Sequence, residues 1–345
     1  MGDGASGDLP WGVFCLVLVA AMAVSAGLVV LLRPYMVRYA LARPNARSSH
    51  KEPTPQGGGI AVVAATLAGV WLGMALTSFG IATSWQFLAL TAAAAVLALT
   101  GAIDDIRGLG AVPRLLIQFA TVGLVIALLP RDFNVVPNLP FWLERALLVF
   151  GAVWLVNLTN FMDGIDWMTV AEVVPVTAGV ALLGLAGAAP ASTVLAALAL
   201  LGDMIGFAPF NRPVARLFLG DVGSLPVGLM LGWILIMLAG KGHLASALLL
   251  PLYYLADASI TLARRVMRRE AVWEAHRTHF YQRATDNGFS VFEVVARLLA
   301  LNVALCLLAA ISIVLRSPMI DVICVAIGCA GVGFALQRFS RPRVS

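Results

Sequence analysis

Apolar residues run along this chain in long blocks, and polar residues gather almost entirely in the short stretches between them. Blocks of roughly 17 to 25 residues suffice to cross about 30 Å of hydrocarbon as α-helix. They predict helices at 11–32, 59–79, 85–103, 115–130, 141–158, 168–188, 190–206, 223–240, 244–262, 291–315 and 319–337. The expected fold is therefore all-α and polytopic, with about eleven transmembrane helices. Residues 1–345 are read as a single membrane-embedded domain, its bundle at 11–337. The first block is longer than a signal-peptide core and no Lys or Arg precedes it, so it is read as a retained span.

Composition agrees with the pattern. The 345 residues are 61% hydrophobic and 12% charged, with a mean hydropathy of +0.93, too apolar for a soluble globular protein. A net charge of +5 would fit nucleic acid only if the basic residues shared one surface, but they lie between the spans. One set of inter-span segments carries most of them, from Arg33 to Arg343, whereas the opposite set has only Arg131, Arg145, Lys241 and Arg316. By the positive-inside rule the N-terminus is expected outside and the C-terminus in the cytoplasm. Cys15, Cys306, Cys324 and Cys329 all fall inside apolar blocks without a CxxC pair or zinc-ligand spacing, and are read as packing or lipid-facing residues.

This topology sends every polar constellation to the cytoplasmic side, each from a different segment. Asp104 and Asp105 end the third block, either as a solvated helix end or as a pair suited to magnesium or to a base raised by its neighbour. Asn157, Asn160, Asp163 and Asp166 recur every three residues, which on a helical start would align their oxygens toward a cation or nucleotide; an N-capping run is the other reading. Asp221 lies between Gly220 and Gly223 before the eighth block, where glycines admit a ligand and a helix N-terminus favours phosphate, or where a turn is simply capped. Asn211 lies ten residues upstream and would reach the same ligand if the segment folds back. Arg264 to Arg269 read as a headgroup anchor, whereas His276, His279 and Arg283 suit a pyrophosphate. Together these residues imply metal-assisted chemistry on a phosphorylated substrate at the membrane surface.

The ordered motifs R-S-S-H-K-E-P-T-P-Q-G-G-G (47–59), D-D (104–105), N-L-T-N-F-M-D-G-I-D (157–166), N-R-P-V-A-R-L-F-L-G-D-V-G-S (211–224) and H-R-T-H-F-Y-Q-R (276–283) resemble a known family. It is the polyprenyl-phosphate N-acetylhexosamine 1-phosphate transferases of glycosyltransferase family 4, which include the phospho-N-acetylmuramoyl-pentapeptide transferases. The first and last motifs look most like the branch that starts O-antigen or capsule repeats.

The resemblance implies transfer of an N-acetylated sugar 1-phosphate from a UDP-sugar to polyprenyl (undecaprenyl) phosphate, with release of UMP, at the cytoplasmic face of a bacterial inner membrane. It implies magnesium, or manganese in its place, on Asn160 and Asp221, and Asp104 and Asp105 as the catalytic carboxylates. Asp163, Asp166 and Asn211 would surround nucleotide and metal, His276 and His279 would engage the diphosphate, and Arg47 and His50 would contact substrate from the first loop. By analogy it implies a homodimer among membrane lipids and no nucleic-acid partner. Two departures stand out: Trp167 occupies a position that is usually Gly, and Pro213 comes one place earlier than in the muramoyl-pentapeptide branch. The D-G-x-D order at 163–166 differs from the D-x-x-D-G-x-x-A-R of CDP-alcohol phosphotransferases. A transporter or flippase would instead place ionisable groups near the bilayer midplane, whereas those here cluster at one face and only Asp203 and Asp257 lean that way; a catalytically impaired scaffold is the remaining alternative.

Overall fold

The computed structural model describes residues 11–39, 41–42, 53–271 and 276–343. Thirteen α-helices follow in order: α1 Trp11–Tyr39, α2 Gly59–Leu76, α3 Ile81–Arg107, α4 Ala111–Ala127, α5 Phe141–Met162, α6 Met168–Leu185, α7 Ala191–Phe207, α8 Asp221–Ala239, α9 Leu244–Leu249, α10 Leu252–Met267, α11 Phe280–Asp286, α12 Val291–Leu315 and α13 Pro318–Phe339. The only strands among the described residues, β1 Leu41–Ala42 and β2 Thr54–Pro55, form a two-residue antiparallel ribbon. The protein is thus all-α, and nine of these helices are long and apolar enough to span a bilayer.

Each predicted block becomes helix, with several changes of outline: α3 and α4 begin four residues early and α5 runs on to Met162. α1 continues past Leu32 through Pro34 to Tyr39. The ninth block is not one helix: it breaks at Leu250 and Pro251 into α9 and α10 because proline cannot donate to the helical ladder.

Helix α8 is the axis of the bundle. Burial covers 94% of its apolar window, against 22% for α1 and α13. Phe87 and Trp233 pack ring to ring at 5.3 Å between α3 and α8. The outward faces keep large apolar side chains such as Ile81, Val314 and Phe334 exposed, the arrangement a lipid solvent demands.

Glycines bring the α8 N-terminus close to its neighbours. A Cβ on Gly59 would strike the backbone of Gly223, and one on Gly101 would strike the carbonyl of Asp221. Pro55 and Gly58 exchange backbone hydrogen bonds with Phe218 at 2.9 Å, and Gly59 N–H donates to Leu219 at 2.9 Å. Gly223 therefore serves a helix crossing, where a Cβ would strike Leu219 and Gly59. Gly101→Ala is expected to force α3 off α8, at about 1–3 kcal/mol by overpacking; a lower melting temperature together with lost turnover checks this.

Buried polar groups clasp the helices. Asp203, fully buried in α7, accepts from Thr66 Oγ1 of α2 at 2.9 Å, and Glu172 of α6 accepts from Asn302 Nδ2 of α12 at 2.7 Å. Cys15 and Cys329 are exposed and Cys324 is buried, all as free thiols.

Candidate active site

The end of α3 places Asp104 and Asp105 at a helix C-terminus, where the dipole disfavours negative charge. Each finds compensation elsewhere. Asp104 accepts from Leu109 N–H at 2.5 Å and from Arg114 Nη1 at 2.7 Å, at the start of α4. Asp105 crosses to α8 and accepts the N–H groups of Asp221 (3.1 Å) and Val222 (3.2 Å), capping that helix from outside its own sequence. Gln56 Nε2 donates to Asp105 at 2.5 Å. Gly220, at φ 73°, fits against both Asp105 and Gln56 because it lacks a Cβ.

Asp221 opens α8 with its carboxylate toward α5. Asn160 Nδ2 donates to Asp221 Oδ1 at 2.7 Å and to Ser224 Oγ at 2.9 Å, and Arg114 stands 3.8 Å from Asp221 Oδ2. Arg114 thus bridges Asp104 and Asp221. In the sequence Arg114 is one of the many basic residues between the spans, and lying ten residues after Asp104 is not a signal that marks a site residue.

The run from Asn157 to Asp166 does not open a helix but closes one, correcting the expected common face. Asn157 and Asn160 lie on α5, Asp163 is its C-cap residue, and Asp166 sits in the turn to α6. Asn157 points into the bundle, its Nδ2 on Gln118 Oε1 (2.6 Å) and Val153 O (2.8 Å), and so lies apart from the carboxylates. Asp163 accepts from Thr169 Oγ1 at 2.5 Å. Burial, together with the charges of Asp221, Asp105 and Asp166, pushes its carboxyl up to about 8 despite that hydrogen bond.

Asp166 Oδ2 accepts from Ala215 N–H at 2.9 Å, tying this turn to the 211–220 segment. Asn211 does the same: its Oδ1 accepts from Trp167 N–H at 2.9 Å and its Nδ2 donates to Leu217 O at 3.0 Å. The segment does fold back, yet Asn211 spends its amide on backbone rather than on open space. Trp167 sits at φ 62°, a left-handed conformation glycine adopts freely, and its Nε1 donates to Ala208 O at 2.6 Å.

A second cluster adjoins the first. Asp257, fully buried in α10, accepts from His279 Nδ1 (3.1 Å), Tyr253 OH (2.9 Å) and the N–H groups of Phe280 (3.0 Å) and Tyr281 (3.1 Å). It caps α11 and fixes the His279 ring at once, leaving Nε2 as the ring nitrogen that Asp257 does not engage. His276 stacks on His279 at 4.9 Å, and Phe161 lies 6.3 Å from His279. Tyr281 OH donates to Phe161 O at 3.0 Å, above Gly164, where a Cβ would collide with that hydroxyl. Arg283 is exposed on α11. Arg47 and His50 lie outside the described residues.

Comparison with known proteins follows the same residues. Residues 87–239, which hold both carboxylate groups and Asp221, match the family model for glycosyl transferase family 4. The chain is 26% identical over 288 residues to a probable undecaprenyl-phosphate N-acetylglucosaminyl 1-phosphate transferase of Bacillus subtilis, covering 79% of this chain and 78% of that protein. It is 28% identical to a decaprenyl-phosphate N-acetylglucosaminephosphotransferase of Mycobacterium leprae, over 74% of this chain and 72% of the relative. A phospho-N-acetylmuramoyl-pentapeptide-transferase of Synechococcus is 31% identical over 62% of this chain and 65% of its own length.

Proposed function

Since this chain belongs to glycosyl transferase family 4, the polyprenyl-phosphate sugar-phosphate transferases, we propose that it transfers an N-acetylated sugar 1-phosphate from a UDP-sugar to undecaprenyl phosphate. UMP leaves, and the lipid keeps a diphospho-sugar that starts a cell-surface glycan such as O-antigen or capsule. The observation that carries this reading is the convergence of Asp104, Asp105, Asn160, Asp163 and Asp221, from three helices and one turn, on the N-terminus of α8. The uneven distribution of Lys and Arg supports a cytoplasmic site in an inner membrane.

The residues fit magnesium. Two carboxylates, Asp104 and Asp221, share Arg114 as their bridging cation, and burial, with the nearby charges of Asp221, Asp105 and Asp166, pushes the Asp163 carboxyl up to about 8. Among the described residues no three acidic, His or Cys side chains are arranged closely enough to hold a metal ion by themselves. A hard ion that keeps several waters suits such a site, with Asn160 and Asp221 as its protein oxygens. Bound there, magnesium would neutralise diphosphate charge and ease departure of UMP.

The chain's own groups do the rest. Asp104, held by Arg114, stands beside a cation able to receive the carrier phosphate, so together they orient its oxygen for in-line attack on the sugar-linked phosphorus. Asp105 keeps the α8 N-terminus, and with it Asp221, in register. His279 Nε2, oriented by Asp257, and His276 face the diphosphate of the donor, and Arg283 adds charge from α11.

Asp163 makes magnesium binding depend on pH. Its proton must leave for the site to reach its full negative charge, so apparent affinity should rise up to about tenfold per pH unit below 8 and level off above. Metal-free protein should in turn lose stability as pH rises from 3.8 to about 8, because the folded state retains a proton that the unfolded chain releases. Magnesium titrations and melting temperatures at pH 6, 7 and 8 test both; a flat profile would remove Asp163 from the site.

The activity itself is tested by supplying undecaprenyl phosphate, magnesium and labelled UDP-N-acetylglucosamine or its 6-deoxy relatives. Label entering solvent-extractable lipid with stoichiometric UMP is expected. No transfer from any donor by folded protein would overturn the reading.

A further inference from the structure

At the end of the bundle away from the carboxylates, a groove of about 580 Å³ opens between α4 and α5. Phe119, Gly123 and Ile126 of α4 and Val149 of α5 give it apolar walls, with Arg145 and Phe141 toward the start of α5. Arg145 and Asn160 share α5, and the helical rise sets them about 22 Å apart along its axis. The groove is therefore separate from the site described above.

Arg145 is the unusual member. Its Nη2 donates to the carbonyls of Pro130 (2.6 Å) and Phe133 (3.1 Å), and the guanidinium lies over the rings of Phe141 (4.9 Å) and Phe133 (5.6 Å). Its Nη1 is buried without a partner. The adjacent carboxylate, Glu144, accepts from the N–H groups of Val135 (2.7 Å) and Val136 (3.0 Å), and no ion pair joins Arg145 among the described residues. A cation left unpaired beside hydrocarbon is costly, so a partner anion should be favoured there. Phe141 and Trp142, both exposed, set the level at which aromatic side chains meet lipid headgroups.

We propose that this groove binds an anionic glycerophospholipid of the leaflet opposite the catalytic end, its phosphate on Arg145 Nη1 and an acyl chain between α4 and α5. Charge complementarity selects the head and the apolar lining takes the chain. The test titrates full-length protein in nanodiscs with phosphatidylglycerol or phosphatidylcholine, counting retained lipid by native mass spectrometry. Phosphatidylglycerol should be retained about fivefold better, the size of one arginine's attraction to an anionic headgroup, because the choline ammonium of phosphatidylcholine offsets the charge of its phosphate.

Two variants separate the parts. Arg145→Met should erase the preference, but it also releases the carbonyls of Pro130 and Phe133. Gly123→Leu fills the groove instead; a Cβ at that position meets nothing within 4 Å, so the fold is kept while phosphatidylglycerol is lost. Equal retention of the two lipids, or undiminished phosphatidylglycerol on Gly123→Leu, would overturn the proposal. So would a Gly123→Leu protein whose KM for undecaprenyl phosphate rises while its phosphatidylglycerol stays, since the groove would then hold the carrier's tail.

Discussion

Asp221→Asn is expected to reduce sugar-phosphate transfer on the order of 10³-fold, the size of losing one preorganised electrostatic contact to the reacting phosphates. The substitution keeps shape and can still accept from Asn160 Nδ2, so the 2.7 Å link between α5 and α8 survives. What disappears is the charge facing Arg114 at 3.8 Å and, on the proposed reading, one of two protein oxygens on magnesium. Because that charge sits among Asp105, Asp104 and Asp163, the variant should melt no lower than the parent. Turnover measured against magnesium concentration is decisive: near-normal rates at limiting magnesium would refute the assignment.

The second large effect is expected at a residue that lends geometry rather than contacting substrate. Asp257→Asn should lower kcat about 100-fold, as loss of an outer-shell orienting group typically does. Asp257 accepts from His279 Nδ1, Tyr253 OH, Thr261 Oγ1 and two backbone N–H groups of α11 while fully buried. An amide can turn only one oxygen to these donors and sets its own NH₂ against the others. His279 should lose its fixed tautomer, visible in the nitrogen shifts of labelled imidazole. A purely structural role predicts a lower melting temperature with unchanged histidine shifts and unchanged kcat in the protein that remains folded.

Local information in the chain carried far for the bundle and less far for the site. Hydropathy is a property of each residue and its neighbours, so the apolar blocks could be read directly, although α4 is shorter than a span and the ninth block breaks at Pro251, leaving nine helices among the described residues long and apolar enough to cross a bilayer where about eleven were expected. The carboxylates at 104, 105, 163 and 221 and Asn160 stood out because polar groups beside hydrocarbon are costly and therefore few. Their three-residue spacing misled at 157–166, since periodicity alone does not say whether a helix begins or ends there. Asn157 stands out by its spacing and Asn211 by its place upstream of Asp221, yet an amide serves a helix clasp or a loop tie as well as it serves a ligand.

Partner choice was the part no local reading could supply. Asp105 caps α8 only because Gly101, Gly59 and Gly223 let three helix ends touch. Arg114 becomes the bridge between Asp104 and Asp221, and Gln56 the partner of Asp105, through the rotation of α4 and the path of the chain before α2. Asp257 orients His279 from 22 residues away because α11 folds back onto α10. The sequence by itself determined a polytopic helical bundle with its chemistry at one end, since burial in lipid is decided residue by residue. Tertiary structure alone decided which carboxylate caps, which is bridged by arginine and which keeps its proton, because those depend on side chains that meet only after the helices have packed.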